Sequence, residues 1–355
     1  MNKHTIVFTG GGSAGHVTPN IAIMNELNRD KWDIHYIGSH KGIEKELIEK
    51  TNIPYHSISS GKLRRYLDKE NLIDLFRVVK GISDARKHLK RLKPAVVFSK
   101  GGFVSVPVVI AARSLKIPVF LHESDLTPGL ANKIANRFST NIYTSFEEAS
   151  EHFPSKKTKV VGSPIRKELL QGNVTKGLHY LDFTTQKPII LIMGGSLGAS
   201  RINDVVRKAL PKLLDDYQVI HLCGKGNLEP TLEGKRGYRQ FEYVYDDLAD
   251  LLAAADYVIT RGGSNAIFEF LALKKPMVII PLTLKQSRGD QILNAKSFEQ
   301  HGYAMKLEEE ELTVESLLEK LGLLKENRSM ILSSMNRAKQ LHAIDVIKED
   351  LEKVI

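Results

Sequence analysis

Two segments of this chain, IVFTGGGSAGH at residues 6–16 and IILIMGGSLGAS at residues 189–200, repeat one pattern: a hydrophobic strand, a glycine turn and a helix start. No other feature constrains the fold as much. A strand this rich in Val, Ile and Leu must be covered on both faces, and a strand that passes through a tight turn into a helix is the first half of a parallel crossover. Its repetition predicts two domains of similar doubly wound architecture facing a cleft.

The rest of the chain has the same rhythm. Short apolar runs predict strands at Thr5–Phe8, Ile34–Ile37, Ala95–Phe98, Val119–His122, Asn141–Thr144 and Lys159–Val161. Helices are expected to begin near Pro19, Ile43, Leu72, Val106, Leu130 and Phe146. After a polar stretch, Lys167–Lys187, a second series predicts strands at Ile189–Met193, Gln218–Cys223, Phe241–Val244, Tyr257–Thr260 and Met277–Pro281. The last segment, Glu326–Ile355, reads as helical and is expected to cross back onto the first domain. The fold class is therefore α/β with parallel sheets. A length of 355 residues agrees with two cores rather than one.

Composition narrows the setting. Met1–Gly10 enters a strand without a basic leader, and the apolar stretch Val104–Ala112 is interrupted by Pro107, far short of the ~20 residues of a membrane span. The single cysteine, Cys223, has no partner for a disulfide or a cysteine-based metal site. Together these predict a cytoplasmic protein that does not cross a bilayer. The net charge of +10 lies wholly in the first half: residues 1–165 hold 25 Lys and Arg against 15 Asp and Glu, while residues 166–355 hold 26 of each sign. Most of the excess falls between Lys62 and Lys116, in KLRR, the Arg86–Lys93 cluster, Lys100, Arg113 and Lys116. A solvated helix face, a nucleic-acid surface and a dock for anionic lipid all fit such a patch.

Gly10 to His16 matches the G-x-G-x-x-G dinucleotide fingerprint, but the second strand ends Tyr36-Ile37-Gly38-Ser39-His40 without the carboxylate that would hold a nicotinamide-side ribose. The loop is better read as backbone amides at the positive end of a helix, awaiting phosphate or pyrophosphate. His16 either caps this loop or turns its imidazole to the bound group as a general base. The turn Gly194-Gly195-Ser196-Leu197-Gly198 offers amides and a hydroxyl at another helix start. A third cluster, Arg261-Gly262-Gly263-Ser264-Asn265-Ala266, opens a helix that carries Glu269, with Ser264 as the expected N-cap and Glu269 within reach of a ribose. Lys100-Gly101-Gly102-Phe103 forms a further glycine turn. No Asp-x-Asp triplet and no zinc-like His pair is present, so charge on a leaving group falls to amides, helix ends and basic side chains.

In order along the chain stand GGGSAGH (10–16), SKGGFVSVP (99–107), HESD (122–125) with PGLANK (128–133), GSPIR (162–166), MGGSLG (193–198) and the Arg261–Glu269 cluster. Over essentially its whole length the chain thereby resembles the MurG family of GT-B-fold N-acetylglucosaminyltransferases, which convert lipid I to lipid II in peptidoglycan synthesis. The resemblance implies an acceptor- and membrane-facing Rossmann-like domain at residues 1–163, a UDP-sugar domain at 164–339, and a C-terminal helix at about 340–355 that packs back on the first. It implies UDP-N-acetylglucosamine contacts at Arg166, Ser196 and Gln291, with Glu269 on the ribose, the Tyr245 backbone facing the uracil, and Ser264, Asn265 and Ala266 nearby. The acceptor pyrophosphate and sugar would meet Gly11, Gly12, Ser13, Gly15, Lys100, Gly101, Gly102, Asp125 and Asn132, with His16 as candidate base. The implied reaction inverts the anomeric centre and forms a β-1,4 link without a covalent sugar-enzyme intermediate, metal or cofactor.

This sequence departs from the commoner family pattern at Ser13-Ala14, where Thr-Gly is frequent, at Asp125, where Asn is usual, and at Ser264-Asn265-Ala266, where Ala-Leu-Thr is common. Leu72, Leu75, Phe76 and Val79 beside Lys and Arg predict a peripheral dock on anionic inner-membrane lipid, at the cytoplasmic face, where other cell-wall synthesis proteins are possible partners. Inward packing of the same side chains is the competing reading. Another GT-B transferase with a different lipid or soluble acceptor is the alternative within enzymes. A nucleic-acid binder is disfavoured, because no recognition motif accompanies the charge and only Tyr66 and Phe76 interleave it.

Overall fold

The computed structural model of the protein describes residues 3–61, 69–195 and 198–355, with the side chains of 69–73 and 75 set aside. The KLRR run, Tyr66, Ser196 and the side chains of Leu72 and Leu75 therefore lie outside the described residues. Two compact units emerge, one of residues 1–165 with 339–355 and one of residues 166–338.

The first unit runs β1 (His4–Thr9), α1 (Thr18–Glu26), β2 (Trp32–Ser39), α2 (Ile43–Glu49), β3 (Tyr55–Ile58), α3 (Lys69–Leu92), β4 (Val96–Ser99), α4 (Ser105–Ser114), β5 (Val119–Glu123), α5 (Leu130–Ala135), β6 (Asn141–Thr144) and β7 (Thr158–Val160). Its sheet is parallel throughout, in the order β3-β2-β1-β4-β5-β6-β7. Successive side chains of a strand point to opposite faces. Ile6 and Phe8 accordingly join a core with Ile23 and Met24 of α1, whereas Val7 joins another with Ala85 and Leu89 of α3 and Val108 and Val109 of α4.

The second unit runs α6 (Val174–Leu181), β8 (Ile189–Met193), α7 (Ser200–Asp216), β9 (Gln218–Leu222), β10 (Tyr238–Phe241), α8 (Leu248–Ala254), β11 (Tyr257–Thr260), α9 (Ser264–Ala272), β12 (Met277–Ile279), α10 (Asp290–Gln300), β13 (Ala304–Lys306), α11 (Val314–Glu326) and α12 (Arg328–Asn336). Its parallel sheet has the order β10-β9-β8-β11-β12-β13.

The last helix, α13 (Ala343–Glu352), belongs to the first unit. Ile344, Ile347 and Leu351 enter the core beside Phe8, and the Asp350 carboxylate accepts from Tyr143 at 3.0 Å and from Lys159 at 2.6 and 2.8 Å. Between α12 and α13 the chain is not helical, because Leu341 pairs with Gly162 in an isolated bridge. Gly162 has φ +86°, and a Cβ there would strike the Gln340 carbonyl. The single helical stretch expected at Glu326–Ile355 is thus two helices.

Two other expectations are corrected. The helix expected near Phe146 is only a short helical turn at Glu148–His152, ended before Pro154. The strand expected at Phe241–Val244 lies earlier, where Tyr238 to Phe241 pair with Val219 to Leu222. Strands β3 and β13 were not anticipated.

Candidate active site

In an open parallel sheet, two neighbouring strands whose crossovers leave in opposite directions open a crevice at their carboxyl ends, and ligands settle there. In the first unit that switch lies between β1 and β4, so the turns after them, Gly10–His16 and Lys100–Phe103, share one crevice. In the second it lies between β8 and β11, which brings together the turn from Gly194 and the Arg261–Gly263 turn. The glycine motifs occupy the two places where this topology binds ligands.

The first crevice is built by close backbone approach. Gly102 has φ +81°, and a Cβ on it would overlap the Gly11 carbonyl; Gly12 has φ +86°, and its Cβ would fall 2.5 Å from the Phe103 ring. Beneath the loop, Tyr36 donates to the Gly10 carbonyl at 2.9 Å and Asn20 to the Thr9 carbonyl at 3.1 Å. A residue the sequence did not single out completes the frame. The buried Glu44 carboxylate, from α2, accepts from the Gly12 amide at 3.2 Å, from the Ser39 amide at 3.2 Å and from the Ser39 hydroxyl. The Gly12 amide is thus engaged by an internal side chain in this structure.

Half-buried His16 forms a 2.8 Å hydrogen bond between its Nδ1 and exposed Ser13 Oγ. Burial and then the charge of Lys100 push its imidazole down to about 4, against the pull of Asp125 and Glu44. At neutral pH it is uncharged and has a lone pair to accept a proton. Lys100 is buried, and its ammonium donates to Ser124 Oγ; burial lowers its pKa against the pull of Glu123 and Asp125. Burial, then Asp125, raises Glu123. Its carboxylate accepts from the Asp125 amide at 3.0 Å, the Gly129 amide at 3.3 Å and Asn132 Nδ2 at 2.8 Å. Asn132 therefore holds Glu123 in place through its amide nitrogen, while the Gly101 Cα lies so close that a Cβ would be 2.6 Å from Asn132 Oδ1. Gly15 is exposed and Asp125 half-buried on the same rim.

In the second unit Arg166 and Glu269 form a bidentate pair, Nε to Oε1 at 2.9 Å and Nη2 to Oε2 at 3.0 Å. The helix α9 that carries Glu269 starts at Ser264, but Gly263 occupies the N-cap position and makes no side-chain cap, which corrects the role expected for Ser264. Ser264 is buried, with Asn265 and Ala266 half-buried beside it. Arg261 is structural: it donates to the Ile280 carbonyl at 3.2 Å and pairs with buried Glu309 at 2.5 Å. Gln291 accepts from the Leu282 amide at 3.1 Å, and its backbone packs so closely on Gly262 that a Cβ there would lie 2.5 Å from the Gln291 carbonyl. Tyr245 is largely exposed and stacks on Tyr243 with ring centres 6.1 Å apart. Gly195 (φ +100°) and Gly198 (φ +77°) turn the chain from β8 toward α7.

Phe76 and Val79 of α3 are 71 % and 59 % exposed, so inward packing of these two is excluded; Val78 and Asp74 face inward instead. Among the described residues no helix is long and apolar enough to cross a membrane and no cluster of His, Cys, Asp and Glu has metal-binding geometry.

With this geometry in view, comparison with known proteins is specific. The N-terminal domain of glycosyltransferase family 28 matches residues 6–144 and the C-terminal domain of that family matches residues 189–351. A Bacillus cereus protein named UDP-N-acetylglucosamine--N-acetylmuramyl-(pentapeptide) pyrophosphoryl-undecaprenol N-acetylglucosamine transferase 2 is 58 % identical over 348 residues, covering 98 % of this chain and 99 % of its own. A Clostridium botulinum transferase of the same name, without the numeral, is 54 % identical over 355 residues, covering 100 % of this chain and 99 % of its own. Among solved structures, Acinetobacter baumannii MurG superposes with a TM-score of 0.78 at 24 % identity, covering 99 % of this chain and 100 % of its own. A Neisseria meningitidis UDP-GlcNAc 2-epimerase bound to UDP-GlcNAc reaches 0.67 at 17 % identity over 99 % and 100 %. These structural likenesses establish the GT-B fold.

Proposed function

We propose that this chain, which belongs to glycosyltransferase family 28, transfers N-acetylglucosamine from UDP-N-acetylglucosamine to the muramyl sugar of lipid I, giving lipid II for peptidoglycan. The observation that carries the reading is full-length identity of 53–59 % to transferases of that name. A glycine crevice at each switch point supports it.

The second unit holds the donor: Arg166, Ser196 and Gln291 are donor contacts, Glu269 binds the ribose, the Tyr245 backbone faces the uracil, and Ser264, Asn265 and Ala266 lie nearby. Developing negative charge on departing UDP is met by the guanidinium and by amides at helix starts. The first unit holds the acceptor, with its pyrophosphate at Gly11, Ser13, Gly15 and Lys100 to Gly102, beside Asp125 and Asn132; Gly12, whose amide donates to Glu44, meets it only where that bond is given up. The C4 hydroxyl attacks C1 as UDP leaves from the opposite face, which inverts the anomeric centre. Neutral His16 takes the hydroxyl proton. The fixed Ser13 contact at Nδ1 leaves Nε2 as the accepting atom in the tautomer with a proton on Nδ1.

Acceptor encounter takes place at an anionic membrane surface on the cytoplasmic side. What supports this is the exposed Phe76 and Val79 on a basic helix. Phe76→Ser with Val79→Ser is expected to lower binding to anionic vesicles at least several-fold while leaving UDP affinity unchanged; equal binding by wild type and variant refutes the dock. The reaction itself is tested by UDP release, which is expected only when a short-chain lipid I analogue is present. Release at the same rate without acceptor, or none with it, overturns the assignment.

A further inference from the structure

Away from both crevices, a cavity of about 450 Å³ is lined by Lys80, Asp84, Lys87, His88 and Arg91 of α3, by Ser57 of β3 and by His40 just past β2. The five α3 positions recur at helical spacing, so they form one stripe facing the edge strand β3. The cavity lies two strands from the β1/β4 switch, about 10 Å along the sheet.

Its charge is one-sided. Lys80, Lys87 and Arg91 face one carboxylate, Asp84, which accepts a hydrogen bond from the Ser59 amide at 3.1 Å. Among the described residues none of the three cations forms an ion pair. Behind them stands a ladder of imidazoles: His35 Nδ1 lies 3.0 Å from His56 Nε2, the His56 and His88 rings are 5.2 Å apart, and Arg91 Nη2 lies 3.4 Å from Nδ1 of both His56 and His88. Asp33 meets His35 on its far side at 2.9 Å. The His88 pKa is lowered by burial and by Arg91 and Lys87, against the Ser57 carbonyl and Asp84. Burial, then His35, His88 and Arg91, pushes His56 down to about 4. His56 and His88 thus stand beside the Arg91 guanidinium, and the one carboxylate lining the cavity is Asp84.

We propose that this cavity binds a dianionic phosphate group, either inorganic phosphate or a phosphomonoester. Three cations against one carboxylate leave a surplus of two, which matches the dianion, and the guanidinium and two ammonium groups supply the donors that phosphate oxygens need. The volume leaves room for an organic substituent. Phe76 and Val79 lie on the same helix toward its N terminus, so a phosphomonoester at a lipid surface would be reached alongside them.

The test follows the His88 imidazole by NMR across pH in the full chain, with inorganic phosphate, with sodium chloride at equal ionic strength, and with phosphatidylcholine vesicles with or without phosphatidate. Phosphate is expected to move the His88 titration upward by about one pH unit, since a nearby opposite charge favours the protonated ring. Lys87→Ala with Arg91→Ala should weaken phosphate binding at least tenfold, with Arg91→Lys retaining most of it. A response to phosphatidate vesicles but not to free phosphate, lost in the double variant, supports the site with lipid as its source. An equal response to chloride, an unchanged response in a folded double variant, or none to either phosphate source overturns the proposal.

Discussion

Glu269→Gln separates the two tasks assigned to this carboxylate. In the structure it accepts two charge-assisted hydrogen bonds from Arg166, at 2.9 and 3.0 Å, with the two side chains 27 % and 11 % exposed. A glutamine keeps the shape and one acceptor oxygen but turns an amide donor toward the guanidinium. Hydrogen bonds to charged groups contribute about 1.5–3 kcal/mol each, and Arg166 is wet enough to rehydrate, so the stability loss should be about 1–2 kcal/mol rather than the larger cost of a sealed pair. If the carboxylate also holds the ribose, UDP affinity falls by a similar free energy, about 5- to 30-fold. Calorimetric titration with UDP measures this, and urea unfolding of the same samples measures the stability term. The 2′-deoxy nucleotide adds a second reading, since wild type should bind it more weakly than UDP while the variant barely distinguishes the two. UDP affinity within twofold of wild type refutes the ribose assignment.

Gly102→Ala places a Cβ against the Gly11 carbonyl at φ +81°. It should destabilise the first unit by about 2–3 kcal/mol in urea unfolding and raise the KM for acceptor more than for donor. With His16 depressed to about 4, the acid limb of kcat/KM should fall near pH 4 rather than 6.5, and His16→Ala should lower kcat by about 10²- to 10⁴-fold with UDP affinity unchanged. A limb at 6.5, or an active variant, contradicts the assignment. Asp350→Ala should cost about 2 kcal/mol, read from urea unfolding, because Tyr143 and Lys159 lose their acceptor, with the half-exposed lysine contributing the smaller part. Burial would raise the Asp350 pKa, but hydrogen bonds from Lys159, Lys353 and Tyr143 hold it below the usual value. Its contribution is therefore present at neutral pH and is lost as pH falls below about 4.

Fully buried apolar elements were legible in the sequence because their signal is local. β8 is an apolar run ended by Gly194, β11 is a fully buried YVIT run that passes through Arg261 into the Gly262-Gly263 turn, and the parallel architecture follows from burial on both faces. β3 and β13 are short edge strands, YHSI and AMK, each with a single buried side chain, Ile58 and Ala304, and so carry little periodic signal. The strand expected at Phe241–Val244 shares only Phe241 with β10, because pairing with β9 selects Tyr238–Phe241. The crevice glycines could be read from their spacing. Glu44 could not, since an acidic residue in IEKELIE reads as a solvated helix face until the fold brings Gly12 and Ser39 to it. The Asn132–Glu123 bond is likewise a tertiary fact.

The most direct test of the account is the structure of the product formed from UDP-N-acetylglucosamine and a short-chain lipid I analogue, read by NMR. The account predicts one new N-acetylglucosamine joined in β configuration to C4 of the muramyl sugar. An α linkage, attachment at another hydroxyl, or conversion of the donor without any acceptor product would contradict it.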